Sequence, residues 1–528
     1  MTALVPWNPR PASILWLNAD NGHAITPAGR KTNAIDHRPN LGEVLYFAQR
    51  ENADRVILTG GRVPAGWLMA ELPTGWTHGA HHLDADIPVG RYTNSEGAVR
   101  DPAVGRRFEV RRAAEWFGAG TYTPAQARAG WDALAAALAE AVPGLRPLAS
   151  PAATGREAWL RSRTFDPATN QPITPPQVSA EIAELLHETS GQHRIELFPK
   201  PDHPSWNQLW LLDGRLMYAA CLRELGCGPA TMLDATDAER LFDLDPYARA
   251  RYQVRVTIPA WWEAAGILPF KAGDDARDGW EYPREPGRTF TTWADASEVW
   301  LAAYQFKWPT QFLAGMMFTP GRPLDTWAAR ILRAFDRQRL GVHDMGGFDG
   351  ENSPAPLVRA ALRWMLLHSI GAFHSTGRTE TTITDGPMTR PAGDGWGAPT
   401  NENGQAVWRR RVPLDGRAAA MSHPEWSAQV WGRARARVLW APTAVAHTYA
   451  GALTIPAAQL VSIYGDAVMT TNRPEWADPR FDDGKPGRLR VKGHLPDLDA
   501  AGGWPTTGRA RDRLMHQAET NLRNEMNE

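Results

Sequence analysis

The sequence predicts a multidomain chain combining α/β and α+β organisation, and three observations lead there. Its 528 residues exceed what one hydrophobic core usually serves. The first 175 residues or so alternate apolar strand-like runs with amphipathic helices, the pattern of an α/β layer. Beyond them, half-buried strands give way to a long helical stretch and then to strands again, as in an α+β domain carrying an insertion.

In order along the chain, Ile14-Leu15-Trp16-Leu17 and Val56-Ile57-Leu58-Thr59 read as strands, the second closed by Gly60-Gly61, with a helix at 42–51 before it. Thr123 as N-cap with Pro124 at the first helical position starts a helix that runs through Trp131, Leu134 and Leu138 and stops at Pro143-Gly144. The proline-rich stretch 164–178 marks a boundary. Then come strands at 194–198 and 211–213, a helix at 216–225, and a period-two strand at 252–258. Residues 268–292, rich in proline and glycine, predict a hairpin or loop. One helix starts at Asp325 as N-cap. Another starts at Ser353-Pro354 and buries Val358, Leu362 and Met365, leaving Arg359 and Arg363 on another face. A loop at 386–405, a helix at 424–440, a strand around Asp466 and an amphipathic tail helix at 507–528 complete the chain.

Composition is that of a soluble globular protein, with 43% hydrophobic and 22% charged residues. The net charge of −1 provides no global basic field, so any nucleic-acid contact must come from local arginine clusters such as 409–411, 433, 435 and 437. Two cysteines exclude a disulfide framework and a Cys-rich zinc site and fit a reducing compartment. The N-terminus has neither a basic start nor a long apolar core, so no signal peptide is expected. The most apolar long stretch, 357–374, carries Arg359, Arg363, His368 and His374, which argues against a membrane span. The 24 tryptophans are spread along the chain and read as packing residues.

The chemistry-bearing residues are two aspartates. Asp213 ends the run Leu211-Leu212-Asp213, with Tyr218 five residues on, and Asp466 lies in the apolar run 460–468. A carboxylate in a buried-type strand is costly unless it is paired or holds a metal. Two such strands are what a two-metal phosphoryl-transfer site needs, since carboxylates from separate strands hold both cations. The alternative for each aspartate is a strand cap or an arginine partner. A separate metal candidate is His78, His81, His82, Asp84 and Asp86, five ligand-type side chains within nine residues, which also read as a polar loop before a strand.

The order of these parts resembles family B DNA polymerases, specifically the compact, protein-primed type of phages and linear plasmids. That family's first motif is Asp-x-x-Ser-Leu-Tyr-Pro; here it stands as Asp213-Gly214-Arg215-Leu216-Met217-Tyr218-Ala219, keeping Asp and Tyr and losing Ser and Pro. The second motif, Lys-x-x-x-Asn-Ser-x-Tyr-Gly, has Arg363 at the Lys, Gly371 at the Gly and Leu367-His368 at the polar pair. In the third, Tyr-x-Asp-Thr-Asp-Ser, Asp466 stands at the metal-binding Asp and Tyr464 at the earlier one. Residues 190–198 resemble the glycine-rich entry to the palm, and Gly487-Arg488-Leu489-Arg490-Val491-Lys492 the basic primer-gripping segment. The match spans about 185–495.

The resemblance implies a right-hand polymerase with palm, fingers and short thumb behind an N-terminal RNase H-like exonuclease-type domain. Its expected divisions are 1–175 exonuclease-like, 176–320 and 406–475 palm, 321–405 fingers, and 476–528 thumb. It implies that Asp213 and Asp466, with the Gly214 carbonyl, hold Mg²⁺ (or Mn²⁺). It implies further that Tyr218, Arg359, Arg363 and Gly371 bind the nucleotide, and that Arg490 and Lys492 bind DNA. Expected partners are a DNA template-primer, dNTPs and a terminal protein or other replication protein, with no membrane, in the cytoplasm of a bacterial cell or phage-infected host. The exonuclease strand reads Leu17-Asn18-Ala19-Asp20 and lacks the family's Asp-x-Glu pair, which implies the fold without proofreading. Two alternatives stay open: a catalytically inactive polymerase-like nucleic-acid-binding scaffold, and a metal-dependent nuclease or hydrolase in the N-terminal domain.

Overall fold

The computed structural model describes residues 6, 10–33, 35–61, 72, 76–78, 82–84, 87–94, 106–118, 120–166, 168–170, 172–191, 193–202, 207–272, 279–343, 353–384, 389–391, 393–402, 405–414 and 416–525. The chain forms two compact units, each built from two segments: residues 1–163 with 329–422, and 164–328 with 423–528.

The first unit holds an eight-stranded mixed sheet. Its centre is parallel, with Ile14–Asn18 beside Arg55–Thr59 and Arg55–Thr59 beside Arg106–Arg112. Parallel strands are covered on both faces, which is why Leu15, Leu17, Val56 and Leu58 read as unbroken apolar runs and are buried in one core with Val44, Leu45 and Ala48. The helix Leu41–Arg50 that supplies those last three starts from a capping box between Asn40 and Glu43. Thr123 and Gln126 make a second box at the start of Pro124–Ala141. That helix presents Trp131 edge-on to Trp16 and Trp116, with ring centroids 5.9 and 5.0 Å away. The helices Pro151–Arg161 and Ala355–Phe373 pack closely because a side chain at Gly155 would overlap the Ser369 hydroxyl.

The second unit holds two larger antiparallel sheets and two short strand pairs among the described residues. Five strands run in the order Leu489–Leu495, Leu209–Gly214, Ala467–Thr470, Leu460–Tyr464, Ile195–Leu197. Leu209, Leu211, Ala467 and Met469 of this sheet share a core with Leu514 and Ala518 of the Gly508–Glu525 helix. Four strands, Gly226–Leu233, Thr310–Pro320, Ala250–Thr257 and Thr289–Asp295, form the other sheet. It packs Met316 and Phe318 against Ile182 and Leu186 of Ala180–Thr189 and Ala428 of Pro424–Leu439. The helix Pro424–Leu439 is tied down by Gln429, which donates to and accepts from Gly226 at 3.1 and 2.8 Å. It is held again by a buried fork in which Arg435 donates to Glu298 at 2.7 and 3.0 Å and to the Ser190 carbonyl at 3.1 Å.

Several expectations need correction. The helix expected at 216–225 is the single turn Met217–Ala220, because Leu216 before it is left-handed (47°, 43°), Glu224 after it takes positive φ (53°), and the chain re-enters a strand at Gly226. Asp466 is not within a strand. The run 460–468 folds as a hairpin with Gly465-Asp466 at its tip, and Gly465 provides the positive φ (63°) that turn needs. The hairpin expected within 268–292 is present, pairing Phe270–Lys271 antiparallel with Trp280–Glu281 before Thr289–Asp295 begins. The expected loop at 386–405 contains Thr400–Glu402, part of a three-stranded sheet with Gly377–Thr384 and Gln405–Pro413. Asp325 is the first helical residue of Asp325–His343, and its carboxylate accepts from Glu224 N–H rather than capping its own helix. Arg435 is 2% exposed and cannot line a nucleic-acid channel. Both cysteines are free and buried, and burial pushes each thiol up to about 11.

Candidate active site

The site grows from one strand. In Leu209–Gly214, alternate residues share a face, so Leu209, Leu211 and Asp213 point the same way. Leu209 and Leu211 fill the core and Asp213 sits at its margin, 4% exposed. Across the sheet Asp213 pairs with Ala467 on one side and Arg490 on the other. Gly214 N–H donates to the Asp466 carbonyl at 2.9 Å. The Asp466 Cβ lies 3.2 Å from where a Cβ on Gly214 would stand, and Met217 is closer still, so glycine is required there by crowding. One cross-strand step and one chain step separate the Asp213 and Asp466 Cα atoms, roughly 9 Å at most. The two expected aspartates are therefore backbone neighbours, with the Asp466 Cβ set against Gly214.

Tyr218 joins them. Its hydroxyl lies against Gly465, 3.6 Å from the position a Cβ there would take. Burial, and then the Asp466 carboxylate, push its phenol well above the usual range, so it stays protonated at any working pH. The left-handed Leu216 is what swings this turn from the strand end toward the hairpin tip. A bulky residue at positive φ is an outlier of the kind that persists at functional sites.

The basic segment completes the cluster. A register shift between Leu211 and Leu212 leaves Lys492 as the extra residue of Leu489–Leu495. Its ammonium reaches Asp213 Oδ2 at 3.4 Å and Glu519 Oε1, from the tail helix, at 3.3 Å. Arg490 is exposed beside Asp213 on the edge strand. Arg488 is engaged with Asp483 at 3.0 Å. Backbone bonds from Arg215 N–H to the Arg488 carbonyl (2.7 Å) and from Gly487 N–H to the Arg215 carbonyl (2.6 Å) fasten this segment to the turn after Asp213.

Other expected site residues belong to the first unit. Arg359, Arg363 and Gly371 are on Ala355–Phe373 of the first unit. Arg359 stacks its guanidinium 4.4 Å over Phe335, Arg363 is half-buried, and Gly371 is an internal helical residue with open space around it. Asp20 is exposed in a turn and accepts from Gly61 N–H at 2.5 Å. His81 and Asp86, and the side chains of His78, His82 and Asp84, lie outside the described residues. Glu519 was not foreseen, since nothing in a charged tail helix marks which carboxylate folds back.

The donor set suits a hard divalent cation. Two carboxylates and a backbone carbonyl are oxygen ligands, and Mg²⁺ is commonly held by one or two carboxylates with substrate phosphates completing its shell. Among the described residues no group of three or more His, Cys, Asp or Glu side chains forms a self-sufficient metal cage.

Comparison with known proteins shows the fold. The chain is similar to phi29 DNA polymerase in its orthorhombic crystal form, with TM-score 0.54 and 10% identity over 92% of this chain and 85% of that one. Similarity is comparable to phi29 DNA polymerase complexed with single-stranded DNA (TM-score 0.53, 11% identity) and with primer-template DNA in a post-translocation binary complex (0.54, 10%), at the same coverages. No family model and no curated protein matches the sequence. The fold likeness agrees with the resemblance carried by the motifs: a mixed α/β, multidomain architecture of the phi29 polymerase kind. Among the described residues no helix is long and apolar enough to cross a membrane.

Proposed function

We propose that this protein is a DNA-directed DNA polymerase that transfers deoxynucleotides to a 3′-hydroxyl in phage or plasmid replication, without proofreading. The observation that carries this is a strand ending in Asp213 that pairs beside the hairpin tip carrying Asp466, with Tyr218 against that tip, in a chain whose fold is like phi29 DNA polymerase over 92% of its length. In this reading 176–320 and 406–475 form the palm, 321–405 the fingers and 476–528 the thumb, behind an inactive exonuclease-like domain at 1–175.

Asp213, Asp466 and the Gly214 carbonyl would hold Mg²⁺, or Mn²⁺ in its place. When bound, such cations lower the pKa of the attacking hydroxyl and neutralise charge on the transferring phosphate. The chain's own groups orient the reactants. Tyr218, kept neutral, presents its ring beneath the incoming sugar and crowds a 2′-hydroxyl. Lys492 and Arg490 offer cations to the primer backbone beside Asp213. Arg363, helped by Arg359, takes the triphosphate by a guanidinium fork, and Gly371 allows close approach of the nascent pair; these roles rest on motif spacing. Template-primer DNA and dNTPs are the substrates. A terminal protein or another replication protein is the expected partner, and the cytoplasm the expected location.

The Lys492–Asp213 contact favours a second reading, a polymerase-like scaffold whose ammonium neutralises the carboxylate in place of a cation. Extension of a labelled primer on a DNA template, with Mg²⁺ and dNTPs, separates the two. Extension by the native protein and its loss in folded Asp213→Ala and Asp466→Ala variants support the polymerase. Absence of extension with retained DNA binding supports the scaffold.

A further inference from the structure

The second unit contains a cavity of about 670 Å³ that the carboxylate site does not use. Its wall includes Ala220 and Cys221, just past Tyr218, but neither Asp213 nor Asp466. Four guanidiniums face it, from Arg223, Arg249, Arg433 and Arg437, against the carboxylates of Glu224 and Asp245. Arg433 is fixed by the carbonyls of Arg223 and Glu224, at 2.7 and 3.2 Å, which position its charge without cancelling it. Arg249 donates to the same Glu224 carbonyl at 3.2 Å. Among the described residues Arg223 and Arg437 have no carboxylate at ion-pair distance.

The rest of the wall is aromatic. Tyr247 and Trp300 lie 5.4 Å apart at 35°, and Trp300 stacks on Tyr304 at 5.9 Å. Trp440 and Tyr449 stack at 4.7 Å and 19°. Tyr247 is 60% exposed. Trp300, Leu301 and Gln305 come from the π-helical stretch Trp300–Gln305, followed by Lys307 in left-handed conformation (φ 55°). π-Helical turns are rare and concentrate at functional sites.

We infer that this cavity is a second nucleotide-binding site, separate from the carboxylate pair, that takes a nucleobase against its aromatic rings and the attached phosphate on its arginines. The volume suits a ligand of that size. Sequence-tolerant stacking on aromatics beside arginines is how single-stranded nucleic acid is held, and planar guanidiniums suit phosphate oxygens. The ligand is either a base and phosphate of a single strand or a free nucleotide. The inference goes beyond the polymerase reading and does not require it.

The test uses the full chain in EDTA, so that metal-dependent binding is silent. Anisotropy of a 5′-labelled single-stranded oligodeoxythymidylate and calorimetry with dTTP are compared for the native protein and for Tyr247→Ala, Tyr247→Phe, Arg223→Ala and Asp213→Ala. Both probed cavity residues are exposed, so unchanged melting is expected. Tyr247→Ala and Arg223→Ala should each weaken binding about tenfold, while Tyr247→Phe and Asp213→Ala bind like the native protein. Binding of the oligonucleotide alone assigns a strand; binding of dTTP as well assigns a free nucleotide. Binding of neither, binding indifferent to Tyr247 and Arg223, or binding lost with Asp213 would overturn the inference. Loss of primer extension alone would bear on the polymerase reading and leave this site standing.

Discussion

Replacing Lys492 by methionine should tighten divalent-cation binding, the opposite of what removing a structural residue usually does. The Lys492 ammonium sits 3.4 Å from an Asp213 carboxylate that is only 6% exposed, and is itself 24% exposed. At an effective dielectric of about 20 the bare attraction is about 5 kcal/mol. Desolvation offsets much of it. Exposed pairs retain about 1 kcal/mol and breaking buried ones costs about 3 or more, so this pair is worth on the order of 2 kcal/mol. A cation approaching Asp213 must displace that ammonium, and 2 kcal/mol corresponds to roughly 30-fold in affinity. Lys492→Met also removes the ammonium from Glu519, a further carboxylate near the same place. Mn²⁺ titration by electron paramagnetic resonance in low salt should show the dissociation constant falling about 30-fold. The gap should narrow as ionic strength rises, and Asp213→Asn should abolish binding. A folded Lys492→Met protein that binds Mn²⁺ no better than the native chain would refute Asp213 as a cation ligand in competition with Lys492.

Other outcomes are expected from the same coordinates. Tyr218→Ala should relax discrimination against ribonucleotides by roughly tenfold or more, read as the ratio of incorporation efficiencies for matched dNTP and NTP; an unmoved ratio removes Tyr218 from the sugar site. Arg363→Ala should raise the apparent dissociation constant for dNTP about tenfold, and pre-steady-state nucleotide titration would show it. Glu298→Gln removes the charge partner of the Arg435 guanidinium, 2% exposed, and should cost about 3 kcal/mol, lowering the melting temperature by roughly 3–5 °C. Removing both charges with Glu298→Leu and Arg435→Met should destabilise less than Glu298→Gln alone, and calorimetry in which the double variant melts lower than the single would contradict the pairing.

What could be read in the sequence was local. Thr123-Pro124 announces its helix because the cap and the fixed proline φ act on adjacent residues. Asp213 with Tyr218 stood out because five residues suffice to state the motif. Where the outcome depended on a backbone choice, the sequence was silent. Leu216 and Glu224 are ordinary helix formers, yet both take positive φ, and only one turn forms between them where a ten-residue helix was expected. Gly465-Asp466 sits between apolar residues and looked continuous, because both arms of the hairpin are buried. Partnerships across hundreds of residues were the least visible. Lys492 was expected to meet DNA, and its approach to Asp213 follows from a one-residue register shift. Arg435 was grouped with surface arginines although its fork partner lies 137 positions away.

The interleaved construction of the two units bears on how the protein is made. The helix Pro151–Arg161, with Ala158, Trp159 and Leu160 buried, packs against Ala355–Phe373, yet a ribosome must add residues 164–354 between them. At 5–20 residues per second that is roughly 10–40 s of waiting. During that interval a nascent tryptophan-bearing surface has no cover, so slow translation or truncation within 164–354 should expose the emerging polypeptide to chaperones and proteases.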